Sequence, residues 1–277
     1  MTIKRRSEKQ NDKQLVLKIK PFLKLLKRIY LGGTIDECVL EFKNKKCNVG
    51  VFDLTNTVIV FVDENVLKNN SEKMKFGFDS IDVLIKFLST IPDTQLFMET
   101  KNNKIIFKRK DSKRSLTCMV KDPEVVPTRL EKRNSRDDPK QVYLDMQEYS
   151  VPLNQIFVKD FLSYLSSLKT KHHTKYVSSE KVCIKYNKKE GVKFICGGKN
   201  ENQLEIVLDG EIKKINEDAD DKISLSVNGD FLSKVFKELD FEDDSMPLLY
   251  FANKSPIAIQ SQDTLWAIKP LMDDKHE

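Results

Sequence analysis

The chain has 277 residues, of which 39% are hydrophobic, enough for two ordinary domains with packed cores. The formal net charge is +6 while 32% of the residues are charged, so charges of both signs are interleaved and the basic excess only weakly favours a polyanionic partner. A lack of long apolar stretches excludes a membrane protein and a secretory signal, which predicts a soluble intracellular protein, nuclear in a eukaryote and cytoplasmic in a prokaryote or a viral host.

In chain order, residues 1–14 are polar and basic without periodicity, which predicts a disordered arm. A strand, a helix and further strands follow, and the same order then repeats. The helices Pro21–Tyr30 and Ser80–Leu88 have apolar residues at i, i+3, i+4 and i+7. The strands predicted here are Leu15–Ile19, Cys38–Phe42, Asn48–Phe52, Val58–Val62, Met74–Phe78, Gln95–Thr100, Lys104–Lys108 and Arg114–Val120.

Residues 122–152 contain four prolines around the charged run Arg129–Lys140, a composition that predicts a connector. Beyond it the pattern returns, and two further helices begin with identical residues, Asp160–Ser163 and Asp230–Ser233. The strands predicted here are Lys181–Tyr186, Val192–Cys196, Leu248–Ala252 and Ile257–Gln260. Residues 272–277 form a polar tail.

A repeated supersecondary unit is an architecture in itself. One open unit with a single helix cannot bury its apolar face, so the four units should pair. The sequence therefore predicts an α+β protein with two similar domains, residues 15–121 and 153–271, each built from two βαβββ units with helices on one face and sheets on the other.

No motif for chemistry is present. The sequence lacks a P-loop, a GxGxxG turn and an HExxH helix. His172 and His173 are adjacent in a lysine-rich loop, where neighbouring side chains point apart, and the acidic pairs fall in polar loops or in the tail. We therefore predict no catalytic residue, no metal site and no cofactor, and a protein that is not an enzyme.

Basic residues recur on the helices, away from the apolar stripes. One such helix usually carries only solvated lysines, but repetition on equivalent helices predicts a positive face that attracts phosphates in a sequence-independent, salt-sensitive way. The predicted DNA-binding residues are Lys24, Lys27, Arg28, Lys86, Lys159, Lys169, Lys171, Lys175, Lys234 and Lys237.

Two strands are predicted to lack partners in a single copy, and unpaired edges invite pairing with another chain. One ends the first domain and the other lies in the second. The predicted subunit-interface residues are Arg114, Leu116, Cys118, Val120, Val192, Phe194 and Cys196.

The chain resembles DNA sliding clamps of the proliferating cell nuclear antigen (PCNA) type. The most specific match is Val182–Leu208. The second is the C-terminal stretch Ser255–Ile259, followed by Leu265–Pro270 and the acidic Asp273-Asp274, while the repeat covers Leu15–Leu271. The resemblance implies the DNA clamp fold and a ring, commonly a homotrimer, that surrounds double-stranded DNA. Its implied partners are DNA polymerase, other replication proteins and a clamp loader, with no membrane.

The resemblance also implies a pocket for partner peptides formed by the connector and the C-terminal strands. The matching positions are Phe52, Asn56, Tyr143, Leu144, Met146, Pro256, Ala267 and Pro270. The three apolar connector residues among them have no helical or strand period. They either pin the connector to a domain or form one wall of the pocket.

The net charge of +6, the basic arm and the long charged connector depart from the usual clamp pattern. They indicate a divergent member, and a viral or phage origin is one interpretation. Two alternatives stay open: a checkpoint-type or transcription-linked clamp relative in a hetero-ring, and a DNA-processing enzyme such as a nuclease with dispersed carboxylates.

Overall fold

The computed structural model describes residues 14–92, 95–101, 103–109, 113–126, 138–169, 181–197, 203–241 and 245–271. Residues 1–13 of the predicted arm (1–14), most of the charged connector run and the tail (272–277) lie outside this part of the chain, whereas Gln14 begins the first strand. Up to residue 126 the elements are β1 (Gln14–Lys18), α1 (Ile19–Tyr30), β2 (Cys38–Asn44), β3 (Lys46–Phe52), β4 (Val58–Glu64), β5 (Ser71–Phe78), α2 (Ile81–Ser89), β6 (Gln95–Lys101), β7 (Lys104–Arg109) and β8 (Ser115–Met119).

From residue 138 the elements are α3 (Pro139–Asp145), β9 (Tyr149–Pro152), α4 (Gln155–Lys169), β10 (Lys181–Asn187), β11 (Gly191–Cys196), β12 (Leu204–Leu208), β13 (Lys213–Lys214), β14 (Lys222–Asn228), α5 (Gly229–Lys237), β15 (Leu248–Phe251), β16 (Ile257–Ser261) and β17 (Thr264–Ile268). The order strand, helix, three strands therefore occurs four times, beginning at β1, β5, β9 and β14. This confirms the repeat that the sequence predicts.

Contacts divide the chain into two compact units. The first holds the described residues of Met1–Leu26, Asp36–Asn48 and Glu64–Pro127, and the second those of Lys27–Ile35, Val49–Asp63 and Thr128–Glu277. The segment that includes most of β4 joins the second unit because β4 pairs with β17, in the register Val60 to Trp266. The sequential domain boundaries therefore stay a prediction.

The first unit contains an antiparallel sheet in the order β1-β6-β7-β8. Alternate residues on one face are buried, Phe107 among them, and α2 places Ile81, Leu84 and Leu88 in the core. The Phe22 ring of α1 lies 6.3 Å from that of Phe107 between centroids. The apolar residues that alternate along the strands therefore pack against those that recur every 3.6 residues along the helices, and together they form one apolar layer.

The second unit contains the matching sheet in the order β12-β11-β10-β14. Phe161 of α4 lies 5.6 Å from Phe194 of β11 and 5.0 Å from Phe236 of α5, between ring centroids. Helix α5 begins at Asn228, whose side chain accepts hydrogen bonds from the backbone of Asp230 at 2.9 Å and Phe231 at 3.2 Å. This unit also contains the strand run β13-β9-β15-β16-β17-β4 and the end of β3.

Each four-stranded sheet has one terminal strand that meets further backbone. Beside β1, Lys18 N donates to Val66 O at 2.7 Å and Lys68 N donates to Val16 O at 2.9 Å. Beside β14, Leu271 N donates to Ser226 O at 2.7 Å. The opposite terminal strands, β8 and β12, have a strand neighbour on one side only within the described residues.

Candidate DNA-facing, subunit and partner-binding surfaces

Helix α1 carries a row of lysines on its polar side. Lys20 and Lys27 are exposed and Lys24 is half-buried, and their spacing of four and three residues places them on one helix face. Lys20 was missed by the sequence reasoning, although it precedes Lys24 by one helical turn. The geometry can present three ammonium groups to a phosphate backbone.

Arg28 is the clearest correction on this helix, because the expectation that it faces outward is wrong. Its side chain is completely buried. The guanidinium donates to Thr264 Oγ1 at 3.1 Å and to Gln262 Oε1 at 3.0 Å, while the indole of Trp266 donates to the Arg28 carbonyl at 3.1 Å. Arg28 lies at the border of the apolar stripe, and the β16–β17 hairpin covers it.

The lysines of α2 and α5 are engaged to different degrees. Lys86 is exposed and pairs with Asp82 one turn earlier at 2.9 Å, a hydrogen bond that lowers the pKa of that carboxyl. Lys234 donates to Thr34 Oγ1 at 2.7 Å, whereas Lys237 is exposed. Only part of the predicted set is therefore presented outward.

Helix α4 has a different outward face. Lys159 is exposed, but beside it lie Ile156, Ser163, Tyr164 and Ser167, and Ile156 is 73% exposed. The other lysines predicted for this region are Lys169, Lys171 and Lys175. Lys171 and Lys175 lie outside the described residues, as does the side chain of Lys169.

The predicted interface strand of the second unit is also wrong. Strand β11 is interior, because it pairs with β10 on one side and β12 on the other, and Val192, Phe194 and Cys196 are buried in the core. The terminal strand is β12, which the edge argument did not consider because it treated β11 as unpaired. In the first unit β8 is terminal, as predicted, with Leu116 and Cys118 half-buried and Arg114 and Val120 just outside the strand.

An apolar cluster in the second unit assembles several residues of the predicted partner pocket. Its buried members are Ile59, Phe61, Ala258, Leu265 and Ala267. Packed against them are the half-buried Phe52, Tyr143, Leu144 and Tyr250. Tyr143 meets Phe61 at 5.7 Å between ring centroids. We call these nine residues the apolar cluster.

The other predicted pocket residues lie outside the apolar cluster. The Pro256 carbonyl accepts a hydrogen bond from Gln147 Nε2 at 3.0 Å. Met146 is 48% exposed. Asn56 lies in the β3–β4 turn with φ +55°, and Pro270 is half-buried after β17.

The connector is more regular than the sequence reasoning expected. The view that Tyr143, Leu144 and Met146 have no helical period is wrong for the first two, which lie in α3, while Met146 is its C-cap. Asp138 caps this helix by accepting from Lys140 N at 3.0 Å, and proline occupies a first-turn position. That Asp-Pro start was readable in the sequence.

The β3–β4 turn is held by one carboxylate. Asp53 accepts hydrogen bonds from the backbone of Thr55 at 3.2 Å, Thr57 at 2.6 Å and Val58 at 2.7 Å. It also contacts the Thr55 hydroxyl. The turn therefore presents Leu54, which is 95% exposed, on a fixed backbone.

Metal-binding groups and membrane-spanning helices are both absent from the part of the chain that the structure describes. No three cysteine, histidine, aspartate or glutamate side chains there are placed to hold a metal ion. No helix there is long and apolar enough to cross a bilayer.

No protein-family model matches the sequence, and no curated protein matches it significantly. Solved structures do match. PCNA from Thermococcus kodakaraensis matches with a TM-score of 0.67 at 14% identity, over 93% of this chain and 99% of that one. A. fulgidus PCNA, solved with the C-terminal region of FEN-1, matches with a TM-score of 0.65 at 12% identity, over 95% of this chain and 99% of that one.

The PCNA2–PCNA3 complex from Sulfolobus tokodaii also matches, with a TM-score of 0.64 at 12% identity, over 93% of this chain and 99% of that one. At these identities the likeness establishes the fold. The chain has the DNA clamp fold, and the predicted α+β class with paired βαβββ units is confirmed. Its particular fold type is that of PCNA, as the sequence resemblance indicated.

Proposed function

We propose that this protein is a DNA sliding clamp. Copies of the chain form a ring, by expectation a homotrimer, that encircles duplex DNA after a clamp loader opens it. The ring tethers DNA polymerase and other replication proteins and has no catalytic site of its own. The observation that carries the proposal is the clamp fold in which the four-stranded sheet of each unit ends in a strand, β8 or β12, that has a strand neighbour on one side only among the described residues.

In the proposed assembly, β8 of one copy pairs antiparallel with β12 of the next. This contact uses two different surfaces, and such a head-to-tail contact gives a ring when the rotation closes. Val120 N donates to Asn103 O, so by the alternation of an antiparallel ladder the N–H of Thr117 points away from β7. Thr117 is therefore placed to donate to the neighbouring copy.

Native mass spectrometry of a proline variant tests the assembly. Thr117→Pro removes the outward donor, and we expect monomers with an unchanged circular dichroism spectrum. Thr117→Val keeps the N–H and should assemble like the parent chain. A fully oligomeric Thr117→Pro would contradict this interface. A parent chain that is monomeric at every concentration but assembles with a second clamp chain would support the hetero-ring alternative instead.

The proposed DNA contact uses the lysine row of α1. Replacing Lys20, Lys24 and Lys27 with alanine removes three phosphate contacts, so the slope of log binding constant against log salt should fall by about 3. The matched control replaces Lys43, Lys45 and Lys46, which are three exposed lysines at the β2–β3 turn. Equal losses in the two triple variants would contradict a special role for α1.

The proposed partner site is the apolar cluster. A partner peptide would place an aliphatic or aromatic anchor against Leu144 and Phe52, as interface hot spots do in packed pockets. The A. fulgidus PCNA structure with a FEN-1 segment supports a peptide ligand. Leu144→Glu should abolish polymerase stimulation and leave the oligomer intact, while Met146→Glu, outside the cluster, should keep stimulation. If Leu144→Glu kept polymerase stimulation and Met146→Glu abolished it, the partner site would lie outside the apolar cluster.

A further inference from the structure

A groove in the second unit borders the apolar cluster but has a different chemistry. It has a volume of about 740 Å³ and runs between α3 and the segment that follows β13. One wall holds Leu144 and Asp145, and the other holds Ile215, Glu217 and Asp218. We call it the acidic groove. Leu144 borders both surfaces, whereas Ile215, Glu217 and Asp218 belong to the groove alone.

The charge of the acidic groove is opposite to that of the chain. Asp145, Glu217 and Asp218 line it, and no lysine or arginine in the described parts of the sequence does so, in a protein with a net charge of +6. Asp145 Oδ1 accepts from Gln141 Nε2 at 2.6 Å, and this donor is neutral. The carboxylates are not placed to share a metal ion, since none of the described residues form such a group.

Gln147 at the floor of the groove gives an independent indication of a ligand. Its side chain is 98% buried, with a relative exposure of 2%. Its Nε2 donates to Tyr143 O at 2.7 Å and to Pro256 O at 3.0 Å, which fixes the amide orientation. Its Oε1 is buried and accepts no hydrogen bond from the described residues. Buried acceptors normally have a partner in the protein or in ordered water, so this oxygen can accept a donor that a ligand brings.

The walls of the groove also define the shape of the ligand. Leu144, Ile215 and the half-buried ring of Tyr250 provide an apolar lining, which suits an aliphatic stem rather than a small ion. A charged head with several donors would reach both the carboxylates and the Gln147 amide. Arginine combines these properties, because its planar guanidinium carries five donors, pairs with carboxylates and stacks on aromatic rings.

We propose that the acidic groove binds an arginine side chain in a basic segment of a partner protein. The guanidinium lies between Asp145 and the Glu217–Asp218 edge and donates to Gln147 Oε1, and the stem packs against Ile215. Binding at this groove does not depend on ring formation or on DNA, so it can be measured on the chain whether or not the proposed clamp function holds.

Fluorescence anisotropy with labelled peptides tests the proposal. The probe is a nonapeptide of alternating leucine and arginine, with lysine and glutamate versions for comparison. We expect Glu217→Gln with Asp218→Asn to weaken binding of the arginine peptide about tenfold, because charge-assisted hydrogen bonds are lost. The control pair, Asp209→Asn with Glu211→Gln, removes two exposed charges outside the groove and should change binding less than twofold.

Methyl NMR on Ile215 should show shifts on titration with the arginine peptide that are absent in the groove variant. Three outcomes would overturn the proposal: no binding of the arginine peptide, equal binding of the lysine peptide, or equal losses in the groove and control variants. The double variant Glu217→Gln with Asp218→Asn separates the two sites, because these carboxylates line the groove and lie outside the apolar cluster, so it should keep the polymerase stimulation proposed for that cluster. A negative result for peptide binding at the groove would therefore leave the proposed clamp function untouched, and a negative result for polymerase stimulation would leave the groove proposal untouched.

Discussion

Helices α1 and α4 occupy the same place in their repeats but present different chemistry. Both bury an aromatic residue in the core beneath a four-stranded sheet, Phe22 in α1 and Phe161 in α4. Outward, α1 carries Lys20, Lys24 and Lys27, whereas α4 carries mostly hydroxyl and apolar groups. The end of α1 is also tied down by the buried Arg28. A repeated scaffold therefore preserves the buried face and leaves the outward face open to divergence.

The largest expected effect tests the shared part of the comparison. Phe22→Ala and Phe161→Ala should each lower the free energy of unfolding by about 3–5 kcal/mol, since each leaves a cavity among aromatic neighbours. Urea denaturation measures both. The half-exposed Phe97 provides a control, and Phe97→Ala should cost much less. A small effect in only one of the two core variants would mean that the helices are not equivalent even inside.

The next effect concerns the tied end of α1. Arg28→Ala should lower the free energy of unfolding by about 3 kcal/mol, because two buried hydrogen bonds and the packing of the side chain are lost. The control is the exposed neighbour Lys27, because Lys27→Ala should change stability by less than about 0.5 kcal/mol. Thermal or urea unfolding measures the stability of both variants. Similar stability in the two variants would contradict the structural role of Arg28.

The stability of the protein should also depend on pH through Glu238, the C-cap of α5, whose carboxyl interacts with the charges at the end of α1. Burial raises the pKa of Glu238, and the charges of Lys27, Arg28 and Lys237 only partly oppose it. The folded protein therefore binds this proton more tightly, and the stability gained below the unfolded pKa is lost as pH rises through the folded value. Glu238→Gln should thus be more stable than the parent at pH 7 and show a flatter stability profile from pH 4 to 7. Chemical denaturation across that range measures it.

The smallest expected effect on stability comes from adding lysines to the outward face of α4, which tests whether its difference from α1 matters for DNA binding. Ser163→Lys with Ser167→Lys extends the position of Lys159 into a lysine row like that of α1, and stability should change by less than about 0.5 kcal/mol. If α4 lines the DNA path, the salt slope of DNA binding should steepen by about 2. Lysines at the exposed Ser89 and Ser245 provide the matched control. Equal steepening in both pairs would reflect net charge alone.

The sequence was sufficient for the elements whose signals are local. Apolar spacing located the helices, and the turn around Asn187–Gly191 located the β10–β11 hairpin. The prediction for Arg28 failed because its burial depends on a hairpin 236 residues away in the chain, and the spacing of residues along a helix carries no information about such a contact. The prediction for β11 failed for a similar reason, because its second partner β12 begins only at Leu204 and has only five residues.

The candidate sites divide in the same way. Resemblance, not residue pattern, brought Phe52 and Ala267 into the predicted pocket, and the apolar cluster contains both. Ile59 and Phe61 were not recognised, because their place depends on the pairing of β4 with β17. The acidic groove had no sequence signal at all, since Asp145 and Glu217 are far apart in the chain and meet only across the fold.

The pairing of β4 with β17 also affects how the protein is made. Val58–Val62 is an unbroken apolar run that is buried in the finished fold, and its partner Thr264–Ile268 follows about 200 residues later in the chain. During translation this strand has to wait, about 10–40 s at typical elongation rates, with an edge of the type that aggregates. A nascent chain stalled before residue 264 is therefore expected to need chaperone protection, and fragments that end there should precipitate when the whole chain does not.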